Sequence, residues 1–211
     1  MSVAHRTPAR PLTTALIAAL AIAILPASAA RPVFAAGTIN LTSSGAAYAQ
    51  DFDSLATTGT SSDVPVGWEF VEAGTNANTT YTAGTGSGNA GDTYSFGVSA
   101  STERAFGGLQ SGSLVPIIGA NFTNAIGSTI AALAITYTGE QWRLGTLART
   151  DRLDFQYSLT ATSLTTGTWT DVDALDLTAP TTGATVGALD GNAAANRMSP
   201  SATIPGLAVP T

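Results

Sequence analysis

Pairs of aspartates two positions apart are the residues of this sequence best suited to chemistry. Asp51 and Asp53 stand in DFD, and Asp171 and Asp173 stand in DVD. In a strand such pairs share a face, and Asp92 opens a predicted strand beside a glycine-rich loop. Calcium prefers oxygen ligands of this kind, although neither pair has the spacing of a twelve-residue calcium loop. A solvated strand face is the simpler interpretation, and one structural calcium ion held by some of these five aspartates is the alternative hypothesis.

The stretch GSGNAGDTYSFG, residues 86–97, matches the glycine pattern of a dinucleotide-binding loop. That fingerprint requires a strand before the loop and a helix after it. Here a Thr/Gly turn precedes the glycines, and the segment that follows them alternates like a strand. We therefore interpret the stretch as a loop whose glycines permit positive φ angles.

The scarcity of cysteine and histidine excludes several kinds of catalytic and metal site. It contains no cysteine, and its one histidine, His5, lies in the N-terminal segment. A disulfide framework, a cysteine nucleophile, a Ser-His-Asp triad and a zinc site built on His or Cys are thereby excluded after residue 35. Paired carboxylates could still serve a glycosidase, but among 14 acidic residues no pair stands out. We nominate no catalytic residue.

Trp142 is the candidate for contact with a ligand. It stands in GEQWRLG between Glu140 and Arg143, a polar setting in which an aromatic ring could be displayed to a sugar face. The candidate ligand-binding residues are therefore Trp142, Glu140 and Arg143. Packing in the core, the usual fate of a tryptophan in a sandwich, is the alternative.

The N-terminus predicts export. Arg6 and Arg10 precede an apolar run that ends at Leu25, and small-residue cleavage motifs follow it, with cuts after Ala29 or Ala35. The run is shorter than the roughly 20 residues that span a membrane. We expect a secreted or cell-surface protein with a cleaved helical signal peptide over residues 1–35. Whether the product is released or tethered stays open.

Residues 36–211 form one predicted domain of acidic character. They hold five arginines, no lysine and all 14 acidic residues. Such a surface repels the phosphate backbones of nucleic acids, so we expect no direct nucleic-acid binding. Removal of the signal peptide leaves no membrane segment in the prediction.

Alternation of apolar and polar residues predicts an all-β fold. RLDFQYSL at 152–159 and LAITY at 133–137 show the period of two that is typical of half-buried strands. With turn clusters between them, about ten short strands favour an antiparallel, jelly-roll-like β-sandwich preceded by the helical signal peptide. The other candidate strands are QDFDSL, GWEFVE, DTYSFGV, RAFGGL, EQWRL, TWTDVDALDL and GATVGAL.

The last apolar segment, ATIPGLAV at 202–209, is followed by only two residues. A sandwich normally closes with a strand that pairs beside the first, so the sheet is expected to have an open edge. Such an edge favours self-association.

Several stretches resemble a module of bacterial secreted and surface proteins: the run from DFDSLATTGTSSDVPVGWEF to GDTYSFG, then ERAFGGLQSGS, ITYTGEQWRLG, and DRLDFQYSL with TGTWTDVDALD. Over residues 47–207 the chain looks like the N-terminal β-sandwich found ahead of extracellular endonuclease/exonuclease/phosphatase, lamin-tail and sorting-signal regions. The module usually continues into a WIRW-like strand and a closing DDF segment, which this sequence lacks. The resemblance supplies no catalytic residues.

The resemblance and the exclusions together imply a non-catalytic extracellular accessory or adhesion module that binds glycans or other cell-surface polymers. The main alternative is the front fragment of a secreted endonuclease or phosphodiesterase whose catalytic domain is absent. A carboxylate-dependent glycosidase is a third hypothesis.

Overall fold

The computed structural model describes residues 37–183 and 185–211 together with the backbone of residues 19–25. In chain order its first nine strands are β1 (Ala19–Leu25), β2 (Ile39–Leu41), β3 (Thr60–Ser61), β4 (Trp68–Ala73), β5 (Tyr81–Gly84), β6 (Asp92–Phe96), β7 (Ala105–Leu109), β8 (Val115–Asn124) and β9 (Ile130–Thr136). The later strands are β10 (Gly139–Glu140), β11 (Arg143–Leu144), β12 (Arg152–Leu153), β13 (Gln156–Ser158), β14 (Thr170–Asp171), β15 (Leu177–Thr178), β16 (Gly187–Ala188), β17 (Arg197–Met198) and β18 (Ser201–Val209). Two 3-10 turns, Asp173–Leu175 and Ala194–Asn196, are the helical segments of the described chain.

These strands build an all-β sandwich around β8. The main sheet has the strand order β14-β13-β1-β8-β2. On the edge of β8 that faces away from β1, β4 pairs with the first part of β8 and β2 pairs with its last three residues. A second sheet runs β3-β5-β6-β7, and β9 pairs with β18. Three further two-stranded sheets are formed by short strands, namely β10-β17, β11-β16 and β12-β15.

The strand pairing is only partly antiparallel. β1 runs parallel to β8 and to β13, β2 runs parallel to β8, and β5 runs parallel to β6. The remaining pairings of the described strands are antiparallel, as expected from the sequence.

The main core lies between the sheets and is rich in aromatic residues. β4 contributes Trp68 and Phe70 to it, and β8 contributes Ile118, Ala120 and Phe122, each set spaced two apart as a strand requires. Further aromatic side chains pack edge-on around these residues, which is the favoured geometry for such rings. Burial of this surface provides the hydrophobic stabilisation of a chain that has no disulfide.

The prediction of a helical signal peptide is wrong for the part that the structure describes. Ala19–Leu25 forms β1, which lies between β8 and β13. Both flanking strands offer free backbone groups there, and pairing satisfies the peptide groups of an apolar segment as a helix would. The remainder of the predicted signal peptide, with both cleavage sites, lies outside the described residues. Within the described chain, no helix has the length and apolar character needed to cross a membrane.

The predicted strands GWEFVE, DTYSFGV, RAFGGL and LAITY are confirmed as β4, β6, β7 and β9, and the last apolar segment lies in β18. EQWRL, TWTDVDALDL and GATVGAL contribute only to the two-residue strands β10, β11, β14, β15 and β16. RLDFQYSL is interrupted, because the backbone N–H of Phe155 donates to Asp176 Oδ1 at 2.8 Å and not to a neighbouring strand. QDFDSL is not a strand, since Phe52 adopts a φ of 66° in the middle of it. Among the described strands β18 pairs with β9 alone, which leaves one of its edges unpaired.

Candidate functional site

The second aspartate pair belongs to an acidic cluster. Asp171 ends β14 and Asp173 begins a 3-10 turn, so the two do not alternate along one strand as predicted. Carboxylate oxygens of Asp154, Asp171 and Asp176 lie within 4.8 Å of one another, the one group of at least three His, Cys, Asp or Glu side chains at metal-binding distance among the described residues.

Arg152 occupies this acidic cluster. Its Nη1 lies 2.9 Å from Asp176 Oδ2 and 3.9 Å from Asp173 Oδ1, and its Nη2 contacts Asp154. The carboxylates of Asp176 and Asp154 raise the pKa of the Arg152 guanidinium further. The arginine therefore supplies positive charge where a calcium ion would sit, and an ion would have to compete with it.

The other calcium candidates lie apart from this cluster. Asp51 Oδ1 accepts the backbone N–H of Asp53 at 3.1 Å, and Asp53 Oδ1 accepts that of Arg104 at 3.2 Å. Asp92 Oδ2 accepts the hydroxyl of Thr82 at 2.6 Å, and burial raises the pKa of the Asp92 carboxyl. These three aspartates hold the backbone and a neighbouring strand, and no shared ion site forms from them within the described chain.

The glycine-rich loop connects two parallel strands, β5 and β6, and no helix follows it. Gly86 has a φ of 77°, and a Cβ at this position would lie 1.8 Å from the carbonyl oxygen of Trp142. Arg143 Nη1 donates to the carbonyl oxygens of Gly86 and Ser87 at 3.0 and 3.1 Å. The loop therefore packs against β11, which accounts for both the first glycine and Arg143 in structural terms.

Trp142 is buried, with 1% of its surface exposed. Its ring stacks on that of Phe96 at a centroid distance of 6.2 Å, and its Nε1 donates to Glu140 Oε2 at 3.0 Å. Gly191 covers the indole so closely that a Cβ there would lie 2.3 Å from it. The ring is not displayed to solvent, so the structure places this candidate in the core.

Glu140 is held by two donors. Besides the indole of Trp142, its carboxylate contacts the guanidinium of Arg197, which also bonds the side chain of Asn192. Burial raises the pKa of Glu140, while the two donors oppose that effect. Asn192 Nδ2 in turn donates to Glu103 Oε2 at 2.7 Å. This network fixes β10 against β17.

An open cleft of about 720 Å³ lies between the sheets. Such a volume is within the usual range for ligand pockets, whereas close-packed interiors leave few voids larger than a water molecule. Its inner wall is formed by apolar residues of β8, β9, β12 and β15, and the segment 46–52 lies along it with several polar groups. The lining includes Tyr48, Gln50, Phe52, Ile118, Phe122, Leu133, Ile135, Tyr137, Leu153 and Leu177.

Tyr48 is the exposed aromatic residue of this cleft, with 39% of its surface accessible. Its ring meets that of Phe122 edge-on at 5.6 Å. Its hydroxyl accepts the Nε1–H of Trp68 at 2.9 Å and donates to Gln50 Oε1 at 3.0 Å. Phe52 packs edge-on against Trp68 at 4.6 Å and is half-buried. A polar tip on an apolar ring, fixed by two hydrogen bonds, is suited to contact a ligand.

Sequence reasoning did not single out Tyr48, because the residues around it are small and show no periodicity. The signal that could have found it is the short spacing of an aromatic, an amide, a carboxylate and a second aromatic in YAQDF. No family model, no curated protein and no solved structure matches the chain. The resemblance to the bacterial surface module stays a prediction.

Proposed function

We propose that the protein is a non-catalytic extracellular binding module, of the accessory or adhesion type, whose ligand enters the cleft between the sheets. Glycans of cell surfaces are the proposed ligand class. The observation that carries this proposal is the aromatic-lined cleft with Tyr48 exposed at its margin. Rings and a small number of fixed polar groups are the usual components of ligand pockets.

The polar groups along the cleft complement such a ligand. Gln50 is fixed by the Tyr48 hydroxyl, and Thr136 and Thr138 are exposed on the opposite wall. Hydroxyl and amide groups both donate and accept hydrogen bonds, as sugar hydroxyls require. Aromatic faces take the apolar faces of the sugar rings.

The acidic residues of the cleft favour a non-catalytic role. Asp51 accepts a bond from the backbone of its own loop, Glu103 accepts one from Asn192, and Glu140 is held by Trp142 and Arg197. A glycosidase needs one carboxyl group as acid and a second as base or nucleophile at defined separation. These three are engaged in structural bonds, which supports binding over hydrolysis.

A glycan array tests the proposal with three proteins: wild type, Tyr48→Ala and Trp169→Ala. Trp169 is the matched control, because it is also half-exposed but packs on Ala161 and Leu164, away from the cleft. We expect the wild type and Trp169→Ala to retain the same glycan, with about fivefold to thirtyfold weaker retention by Tyr48→Ala, since a stacking ring contributes about 1–2 kcal/mol. The proposal fails if no glycan is retained, or if the two variants lose retention equally.

A further inference from the structure

The main sheet contains a gap one strand wide between β8 and β13. β1 fills it: Ala19–Leu25 pair in parallel with Ile117–Thr123 of β8, and Ala21–Ala23 pair with Gln156–Ser158 of β13. Neighbouring strands lie about 4.8 Å apart, so β8 and β13 are separated by about 10 Å. No other described strand lies between them.

By its sequence, the strand that fills the gap is predicted to be removed during export. Ala19–Leu25 belong to the apolar run of the predicted signal peptide, and the predicted cleavage after Ala29 or Ala35 would take them away. Loss of β1 exposes the backbone groups of Ile117–Thr123 on that side of β8, in the centre of the sheet. Exposed strand edges are templates for the addition of another strand.

The inner face of the gap determines which positions of an inserted strand must carry apolar side chains. Ile118, Ala120 and Phe122 alternate along β8 and are all buried, at 4%, 1% and 7% exposure. Tyr157 of β13 packs against the same core. A strand between them must therefore carry apolar side chains at three alternate positions, since paired residues on neighbouring strands share a face.

One unsatisfied acceptor borders the gap on its outer face, and a second lies on β4, across β8 from the gap. Glu69 Oε2 and Asn121 Oδ1 are buried without a hydrogen-bond partner. Glu69 pairs with Gly119 across the sheet, and Gly119 and Asn121 are opposite Ala21 and Ala23 of β1. An unsatisfied buried acceptor is destabilising, because it has lost its hydrogen bonds to water without gaining a partner in the protein. Alanine carries no side-chain hydrogen-bond donor, so Ala23 of β1 offers none to Asn121 Oδ1.

We propose that the gap between β8 and β13 is an acceptor site for an extended strand of a second protein. The incoming strand runs parallel to β8, carries apolar residues opposite Ile118, Ala120 and Phe122, and carries a hydrogen-bond donor opposite Asn121. Main-chain hydrogen bonds give the affinity of such strand addition, and the alternate side chains give its specificity. This site differs from the glycan cleft and does not depend on it.

The test uses the full chain with Ala21→Pro and Ile22→Pro, which removes two N–H donors from β1 and weakens its hold on the gap. Three labelled peptides, each with a solubilising lysine tail, are titrated by fluorescence anisotropy. The first copies residues 19–25 as ALAIAIL, the second carries serine at the position of Ala23, and the third carries the two prolines.

We expect the proline variant to bind the serine peptide about fivefold more tightly than ALAIAIL, from one added hydrogen bond of about 1 kcal/mol. The proline peptide should not bind, and the unsubstituted protein should bind every peptide at least tenfold more weakly. Asn121→Leu in the proline variant should abolish the preference for serine. Absence of peptide binding, or equal binding to wild type and variant, overturns the proposal. A dimer of the proline variant that excludes peptide would assign the gap to a second copy of this chain and also overturn it.

A second measurement covers the case in which the proline variant fails to fold. Ala23→Ser in the full chain should raise the Tm by about 2–4 °C. Ala23→Val, and Ala23→Ser combined with Asn121→Leu, should give no such rise. Equal Tm values for the serine and valine variants contradict the proposed donor position.

Discussion

Trp142 Nε1 donates a hydrogen bond to Glu140 Oε2 at 3.0 Å, and this bond orients the indole toward the interior. The two residues that made Trp142 look like a surface ligand site therefore have structural tasks: Glu140 accepts the indole N–H, and Arg143 holds the glycine-rich loop. Polar residues next to a tryptophan in sequence do not distinguish an exposed ring from a buried one, because a buried indole N–H also needs a polar partner.

Trp142→Ala is expected to lower the free energy of unfolding by about 3–5 kcal/mol, because it empties a fully buried site and leaves Glu140 without one donor. Trp169→Ala, at a half-exposed position, should cost about 1 kcal/mol. Urea unfolding followed by circular dichroism measures both. Similar losses for the two variants would contradict the burial of Trp142.

Gly86→Ala is expected to be far more costly than Gly45→Ala. The two glycines have nearly equal φ angles, 77° and 78°, so the backbone strain of about 1 kcal/mol is common to both. Only Gly86 faces an obstacle, the carbonyl oxygen of Trp142, whereas nothing lies within 4 Å of a Cβ at Gly45. Steric overlap should add about 1–3 kcal/mol at Gly86. Equal unfolding free energies for the two variants would show that the loop does not pack on β11.

Glu69→Gln should stabilise the protein at neutral pH and not at acidic pH. Burial raises the pKa of Glu69 in the folded state, so the folded state holds the proton more tightly than the unfolded state. The stability this provides is present below the unfolded pKa and is lost as the pH rises through the folded pKa. Because glutamine stays uncharged, the variant should be more stable than the wild type at pH 7, by less than about 1 kcal/mol since solvent screens the half-buried carboxylate.

Urea unfolding of Glu69→Gln at about pH 4 and pH 7 measures this difference, and Asp63→Asn, at an exposed carboxylate, is the control for net charge. A gain that is the same at both pH values, or that the control reproduces, would rule out a raised pKa at Glu69.

Arg152→Gln tests the calcium hypothesis. The substitution removes the guanidinium that lies beside Asp154, Asp171 and Asp176. The mutual repulsion of these carboxylates is then no longer offset, which should raise their affinity for a calcium ion. We expect millimolar calcium to raise the Tm of the variant by at least about 2 °C.

Arg149→Gln is the control for Arg152→Gln, because it also removes an arginine that is paired with an aspartate, Asp151 at 2.6 Å, and this aspartate is not part of the acidic cluster. If chelator and calcium leave the Tm of the wild type and of Arg152→Gln unchanged, the acidic cluster binds no calcium.

Alternation in the sequence identifies a strand most clearly where one of its faces is more buried than the other. GWEFVE and LAITY alternate because one side of each strand meets the core, and they became β4 and β9. The central strand β8, VPIIGANFTN, escaped prediction. It is buried on both faces for most of its length, so its apolar residues do not alternate with polar ones. Pro116 and Gly119 also weaken the strand pattern, because both residue types are uncommon inside strands.

The candidate site was the least predictable part of the molecule. Whether an aromatic residue is displayed depends on which loop lies over it, and that is decided by contacts far apart in sequence. Tyr48 is fixed by Trp68, 20 residues away, and Trp142 is covered by Gly191. The acidic pairs failed for a related reason, because Phe52 and the turn at Asp173 break the alternation that a shared face requires.

The most direct test of the central proposal is hydrogen–deuterium exchange of the wild-type protein with and without a pool of soluble cell-surface oligosaccharides. If the cleft between the sheets is the ligand site, exchange should slow in residues 46–52 and 133–138, which line it, and stay unchanged in residues 160–169 around Trp169. No slowing with any oligosaccharide, or slowing confined to residues outside the cleft, would contradict the proposed function.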